Sequence, residues 1–224
     1  MRHTMRGSLC IAALGVLWLA PYAVADSVSM VLTGAGPNVM GGVYVGAYNA
    51  TINGVSTKVI CDDFADDTYL NESWTASVTD FSHLSGTKWK SPSLYNEAAW
   101  LSLQMLSASD PTTVGEIHYA IWGLFNSDAI TDLGAVNAGY AHAAQDWIGQ
   151  GAAHTTGDFS NFLVYTPDSG SARCNGGPCR TPPQEFLAVR VPESPFLITF
   201  AGDMLALGLI AALLRRLVPR RPLS

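Results

Sequence analysis

Cys61 is the residue of this chain best equipped for chemistry, because a thiolate is a strong nucleophile. His118 could supply the matching base. A thiol–imidazole ion pair between them would lower the thiol pKa and give a cysteine hydrolase its nucleophile. The neighbours of Cys61 oppose this, since Asp62 and Asp63 would raise the thiol pKa by charge repulsion. A free cysteine is also among the residues most often buried, so a structural Cys61 is the plainer expectation. An intermolecular disulfide is the remaining use for an unpaired cysteine.

The densest acidic cluster is Asp62, Asp63, Asp66 and Asp67, whose hard oxygens are candidate ligands for calcium. The loop lacks the Asp-x-Asp-x-Asp-Gly arrangement with a distal glutamate, so a solvated acidic turn is expected. Cys174 and Cys179 flank Asn175-Gly176-Gly177-Pro178, a turn-forming stretch, and a local disulfide is the natural reading. A two-cysteine metal site there lacks further ligands nearby in sequence. His83, His142 and His154 have no Cys or carboxylate at ligand spacing, so no transition metal and no cofactor is expected. Glu97 and Glu116 read as surface or capping acids. Trp74, Trp100, Trp122 and Trp147 sit on apolar stripes, whereas Trp89, between Lys88 and Lys90, is the expected exposed aromatic.

The elements that must position these groups follow from periodicity. Ser27 to Thr33, Val43 to Ala50, Ser56 to Asp62 and Trp74 to Phe81 read as strands, with Asn53-Gly54 a hairpin turn. Leu94, Ala98, Leu101 and Met105 fall at helical spacing, ended by Asp110-Pro111. Ile117, Ile121 and Leu124 mark a second helix. Leu133, Val136, Tyr140, Ala144 and Trp147 mark a third, closed by Gly149 and Gly151. Phe162 to Tyr165 and Phe186 to Val191 return to strand, with Gly170 to Pro183 a loop between them. Strands, three helices, then strands predict an α+β domain.

Both ends read as transport signals. Arg2 and Arg6 precede the apolar stretch Leu9 to Ala20, and Ala23-Val24-Ala25 supplies the small residues signal peptidase reads. Residues 1–25 are therefore expected to be a signal peptide cleaved before Asp26, with Cys10 lost and unlipidated. At the other end, Pro195 to Leu214 is apolar and long enough to cross the ~30 Å hydrocarbon core of a bilayer as a helix. Arg215, Arg216, Arg220 and Arg221 stop it and bias that end toward the cytoplasm. Between these ends, residues 26–194 keep six basic and seventeen acidic residues, a net charge of −11 against −6 for the whole chain. Such a surface repels nucleic acid, which is excluded as a partner. Residues 26–190 suit one exported domain.

Two resemblances sharpen this reading. Val191-Pro192-Glu193-Ser194, one span and an arginine-rich tail together resemble the PEP-CTERM sorting signal, although Ser194 stands where the family usually has proline and Asp203 sits mid-span. The resemblance implies export, an inner-membrane precursor with its C-terminus in the cytoplasm, and transfer by an exosortase to the cell surface or extracellular matrix. The second rests on Val59-Ile60-Cys61-Asp62-Asp63-Phe64, on Tyr95-Asn96-Glu97-Ala98-Ala99-Trp100 and on Ile117-His118-Tyr119-Ala120-Ile121-Trp122. These segments look like the thioester domains of bacterial surface adhesins. There the strand cysteine forms a thioester with a helix glutamine that an amine can attack. Cys61 takes the cysteine role, and His118 falls where glutamine should be. Imidazole has no carboxamide and cannot acylate Cys61. A thioester through another glutamine, such as Gln104 on the preceding helix, stays open beside plain solvent exposure of Gln104. The expectation is an exported, non-enzymatic surface or matrix protein with an unknown surface or matrix ligand. A covalent adhesin through Cys61 and a cysteine hydrolase are the alternatives.

Overall fold

The computed structural model describes residues 27–190 except 175, 176 and 180. The expected signal peptide over residues 1–25 and the expected sorting signal over residues 191–224 lie outside the described residues. Within them, no helix is long and apolar enough to cross a membrane.

Both strands and helices build the domain. In chain order they are β1 (Val28–Gly34), β2 (Val39–Met40), β3 (Val43–Tyr44), β4 (Tyr48–Ile52), β5 (Val55–Cys61) and β6 (Ser73–Asp80). Four helices follow: α1 (Pro92–Ser107), α2 (Pro111–Phe125), α3 (Asp128–Val136) and α4 (Ala138–Gly151). The chain ends in β7 (Phe162–Pro167), β8 (Arg173–Cys174), β9 (Gly177–Pro178) and β10 (Phe186–Val189). Six strands pair in the order β1, β4, β5, β10, β7, β6, and β6 pairs back onto β1, which closes an antiparallel barrel. Closure satisfies both edges of every long strand.

Local chemistry accounts for the details. Asn53 and Gly54 both adopt positive φ, 50° and 81°, as a two-residue turn between β4 and β5 requires. The strand expected from Val43 to Ala50 is instead broken between β3 and β4, where Gly46 takes φ 100°. A side chain is strained in that backbone region, and a Cβ there would come within 3.1 Å of Val114. The third helix is also two. Asn137 (φ −155°, ψ 107°) leaves the helical region, ends α3, and its Oδ1 accepts from the N–H groups of Gly139 and Tyr140 to start α4. Asparagine competes well for such a cap, and the apolar spacing across it gave no sign of the break.

The helices sit between β6 and β7, with α2 in the middle of the layer. Ile117, Ile121, Tyr119 and Trp122 of α2 are all buried, alongside Tyr95 and Leu101 of α1 and Leu133 of α3. Inside the barrel, Met30, Ala50, Val59, Trp74 and Phe186 form the opposing core. Trp74 and Trp122 are in the core as their stripes require, while Trp100 and Trp147 are partly buried against it. Trp89 departs from expectation. It is half-buried, stacks on Phe125 with ring centroids 5.6 Å apart, and carries Lys88 Nζ 5.2 Å above its ring. Glu97 likewise proves buried rather than a surface acid.

Candidate functional site

Cys61 ends β5, whose residues pass from exposed at Val55 to fully buried over Val59, Ile60 and Cys61. It pairs with Phe186 on β10. His118 comes from α2, a helix begun by Asp110, whose carboxylate accepts from the Thr113 N–H at 2.9 Å, and by Pro111 at its first turn. The sequence separates Cys61 and His118 by 57 residues, and the fold brings them together.

The contact is not a thiol–imidazole pair. Gly46 N–H donates to His118 Nδ1 at 2.8 Å, so that nitrogen is the acceptor. The proton must then sit on Nε2, which donates to the Cys61 backbone carbonyl at 2.9 Å. Both ring nitrogens are used, and the histidine bridges two backbones as a neutral group. Burial holds its pKa at about 4, against the smaller opposing pull of the Cys61 carbonyl. The ring is fully buried and packs on Trp122 at 4.1 Å between centroids.

The thiol itself is closed in. Cys61 is buried, and its S–H donates to the Asp63 carbonyl at 3.2 Å while the Asp63 N–H approaches the sulfur at 3.4 Å. Burial first, then the charges of Asp62 and Asp63, push the thiol pKa well up, against lesser help from the Asp63 backbone and Trp122. A thiol held this way is a poor nucleophile. Gln104 lies half-buried in the last turn of α1.

The acidic cluster is not a solvated turn. Asp62 and Asp63 are fully buried, Asp66 is half-buried and only Asp67 is exposed. The chain folds this way because Lys88 reaches in: its ammonium bonds Asp63 at 2.6 Å and Asp66 at 2.8 Å. Asp62 turns the other way. Among the described residues no N–H or O–H donates to either of its oxygens, and its carboxyl faces Glu185. Burial, followed by the charges of Glu185 and Asp63, keeps Asp62 protonated well above the usual carboxylate range. Glu185, also fully buried, accepts from Tyr95 Oη, Thr166 Oγ1 and the Lys88 N–H. Glu185 escaped the sequence reading, and Tyr95 entered it only as part of a motif. The one hint was an apolar strand run, Val59 to Cys61, that continues into two acids rather than a turn.

Beside Trp122 a groove of about 330 Å³ opens between the β2–β3 hairpin and the acidic segment, bordered by Tyr44, Tyr48, Phe64, Asp67 and Gln184. Tyr48 is tied by its hydroxyl to the Tyr44 carbonyl at 2.7 Å, and Tyr44 stands 56% exposed at the rim. Cys174 and Cys179 form the expected disulfide and tie β8 to β9. No protein-family model matches the chain, and no curated protein matches it either.

Proposed function

We propose that this chain is an exported cell-surface or extracellular-matrix protein with a thioester-domain-like fold, sorted by an exosortase, whose role is binding or structural rather than enzymatic. Signal peptidase releases residues 1–25, the C-terminal span holds the precursor in the inner membrane with its arginines inward, and the exosortase acts at Val191–Ser194. The domain then engages a surface or matrix ligand without forming a covalent bond.

The observation that carries the non-covalent reading is the wiring of His118. At the position that would supply the acyl group of a thioester stands a neutral imidazole committed to Gly46 N–H and the Cys61 carbonyl. A base for a hydrolase would need a free nitrogen aimed at the sulfur, and neither nitrogen of His118 is free. What favours a binding role is the aromatic, acid-edged groove over the same spot, in a domain of strongly negative charge.

Sorting is tested by changing Pro192 and Glu193 to alanine. The precursor should then stay in the inner membrane with Pro195 to Ser224 attached. Unaltered release of the variant, or surface material that still carries Pro195 to Ser224, contradicts the sorting reading.

A further inference from the structure

Glu72 stands just ahead of β6 and is 1% exposed. Its Oε2 accepts from the Tyr69 N–H at 2.7 Å, and its own N–H returns to the Tyr69 carbonyl at 2.9 Å. Its Oε1 has no hydrogen-bond partner among the described residues. A Glu72 carboxyl oxygen and the sulfurs of Cys174 and Cys179 all lie within 4.8 Å of one another. Burial, with a lesser push from Asp67, raises the Glu72 pKa against the pull of the Tyr69 N–H, so the group is biased toward its protonated form. The disulfide is half-buried and borders a cavity of about 360 Å³ with Tyr69, Leu70 and Pro178. Tyr69 and Leu70 are 53% and 61% exposed, which gives the cavity an apolar rim.

A disulfide that only ties β8 to β9 has no use for this acid. Burying a carboxyl with an unpaired oxygen costs free energy, and a sulfur pair offers it little in return. Thiol–disulfide exchange does have a use for it. Attack on a disulfide releases a thiolate, and a thiolate is poorly tolerated in a half-buried, apolar setting unless a proton reaches it.

We propose that the Cys174–Cys179 disulfide is an exchange site for a thiol partner, with Glu72 as the proton donor to the sulfur that leaves. An incoming thiolate forms a new S–S bond with one of the two sulfurs, and the Cys174–Cys179 bond breaks. The released sulfur takes its proton from the Glu72 carboxyl, which becomes a carboxylate. The partner's second thiol then passes its proton to the Glu72 carboxylate and attacks the mixed disulfide. The second protein sulfur leaves as a thiolate that takes a proton from solvent, so that the partner dithiol is oxidised and the protein disulfide reduced by two electrons. The apolar rim fits a cysteine or dithiol carried on an apolar peptide segment. This inference rests on residues away from Cys61 and His118 and stands whether or not the sorting reading holds.

The test is the rate at which dithiothreitol reduces Cys174–Cys179 in the full chain, followed by acid quench, alkylation and peptide mass mapping. Glu72→Gln keeps the shape of the side chain, and Glu72→Ala opens space beside the sulfurs. A proton donor predicts that both variants react more slowly, by roughly 100-fold under mildly acidic conditions, the lower end of what a positioned acid contributes. It also predicts that the wild-type rate, normalised to the thiolate fraction of the reagent, falls as Glu72 ionises, while the Gln variant shows no such fall. A merely structural Glu72 predicts the opposite sign, with Glu72→Ala reduced as fast as wild type or faster. That result overturns the proposal. Should either variant fail to fold, a flat normalised profile for the wild type alone overturns it equally.

Discussion

Replacing Asp62 by asparagine should make the protein more stable at neutral and alkaline pH and remove one proton from its pH dependence. Asp62 is fully buried, receives no donor among the described residues and faces Glu185, so the fold holds it protonated. In the unfolded chain the same group ionises near pH ~3.9. Its folded pKa is raised, so its contribution is fully present below the unfolded value. That contribution is lost as pH rises toward the folded value. Over that window the folded state holds one more proton than the unfolded state, and each pH unit removes about 1.4 kcal/mol. Asparagine has the same shape, keeps a donor for Glu185 and has no proton to lose. Urea denaturation of both proteins at successive pH values, taken as a difference, cancels every other titrating group. The account predicts that the wild type loses stability relative to Asp62→Asn by ~1.4 kcal/mol per pH unit above pH ~4, levelling off once the folded Asp62 ionises. A pH-independent difference, or a wild type that gains on the variant as pH rises, would refute the assignment of a buried neutral acid.

His118 acts in the opposite direction: its pKa falls from an unfolded value near 6.5 to about 4, so its contribution is present above 6.5 and is lost as pH falls to about 4. The His118→Ala variant should lose at least about 2 kcal/mol, because Gly46 N–H and the Cys61 carbonyl are left buried without partners; urea titration at pH 7 measures this, and an unchanged midpoint contradicts it. Lys88→Met should destabilise by about 1–3 kcal/mol, since Asp63 is fully buried and Lys88, itself 30% exposed, opposes the upward push of burial on the Asp63 pKa. The Lys88→Met, Asp63→Asn double variant should recover part of that loss in the same denaturation assay. Cys61 should label with iodoacetamide in the native protein only as fast as the domain opens, and rapid labelling at neutral pH would show an activated thiolate.

What the sequence disclosed is local order. The alternation of Val28, Met30 and Leu32, the Asn53-Gly54 turn and the spacing of Ile117 and Ile121 each encode an element within a few residues, and these elements are present. The barrel was hidden because its closing contact pairs Val28–Val31 with Ser73–Ala76, a long-range register no period records. The broken third helix was hidden for a local reason, one asparagine that outcompetes an otherwise continuous apolar stripe. The meeting of Cys61 and His118 was legible through the resemblance, yet the bond between them is to a carbonyl rather than a sulfur. Side-chain composition cannot tell those apart. The acids were misread for a related reason. Asp62 and Asp63 look solvated until Lys88, on the stretch before α1, and Glu185, ahead of β10, fold over them.

The intact mass of the exported protein, before and after exposure to methylamine, bears most directly on the claim that this domain binds without a covalent bond. The account predicts a mass equal to that of the processed chain less the two hydrogens of the Cys174–Cys179 disulfide, with no methylamine adduct. A mass short by one ammonia, with gain of one methylamine as an amide and release of the Cys61 thiol, would establish a thioester at Cys61 and contradict the account.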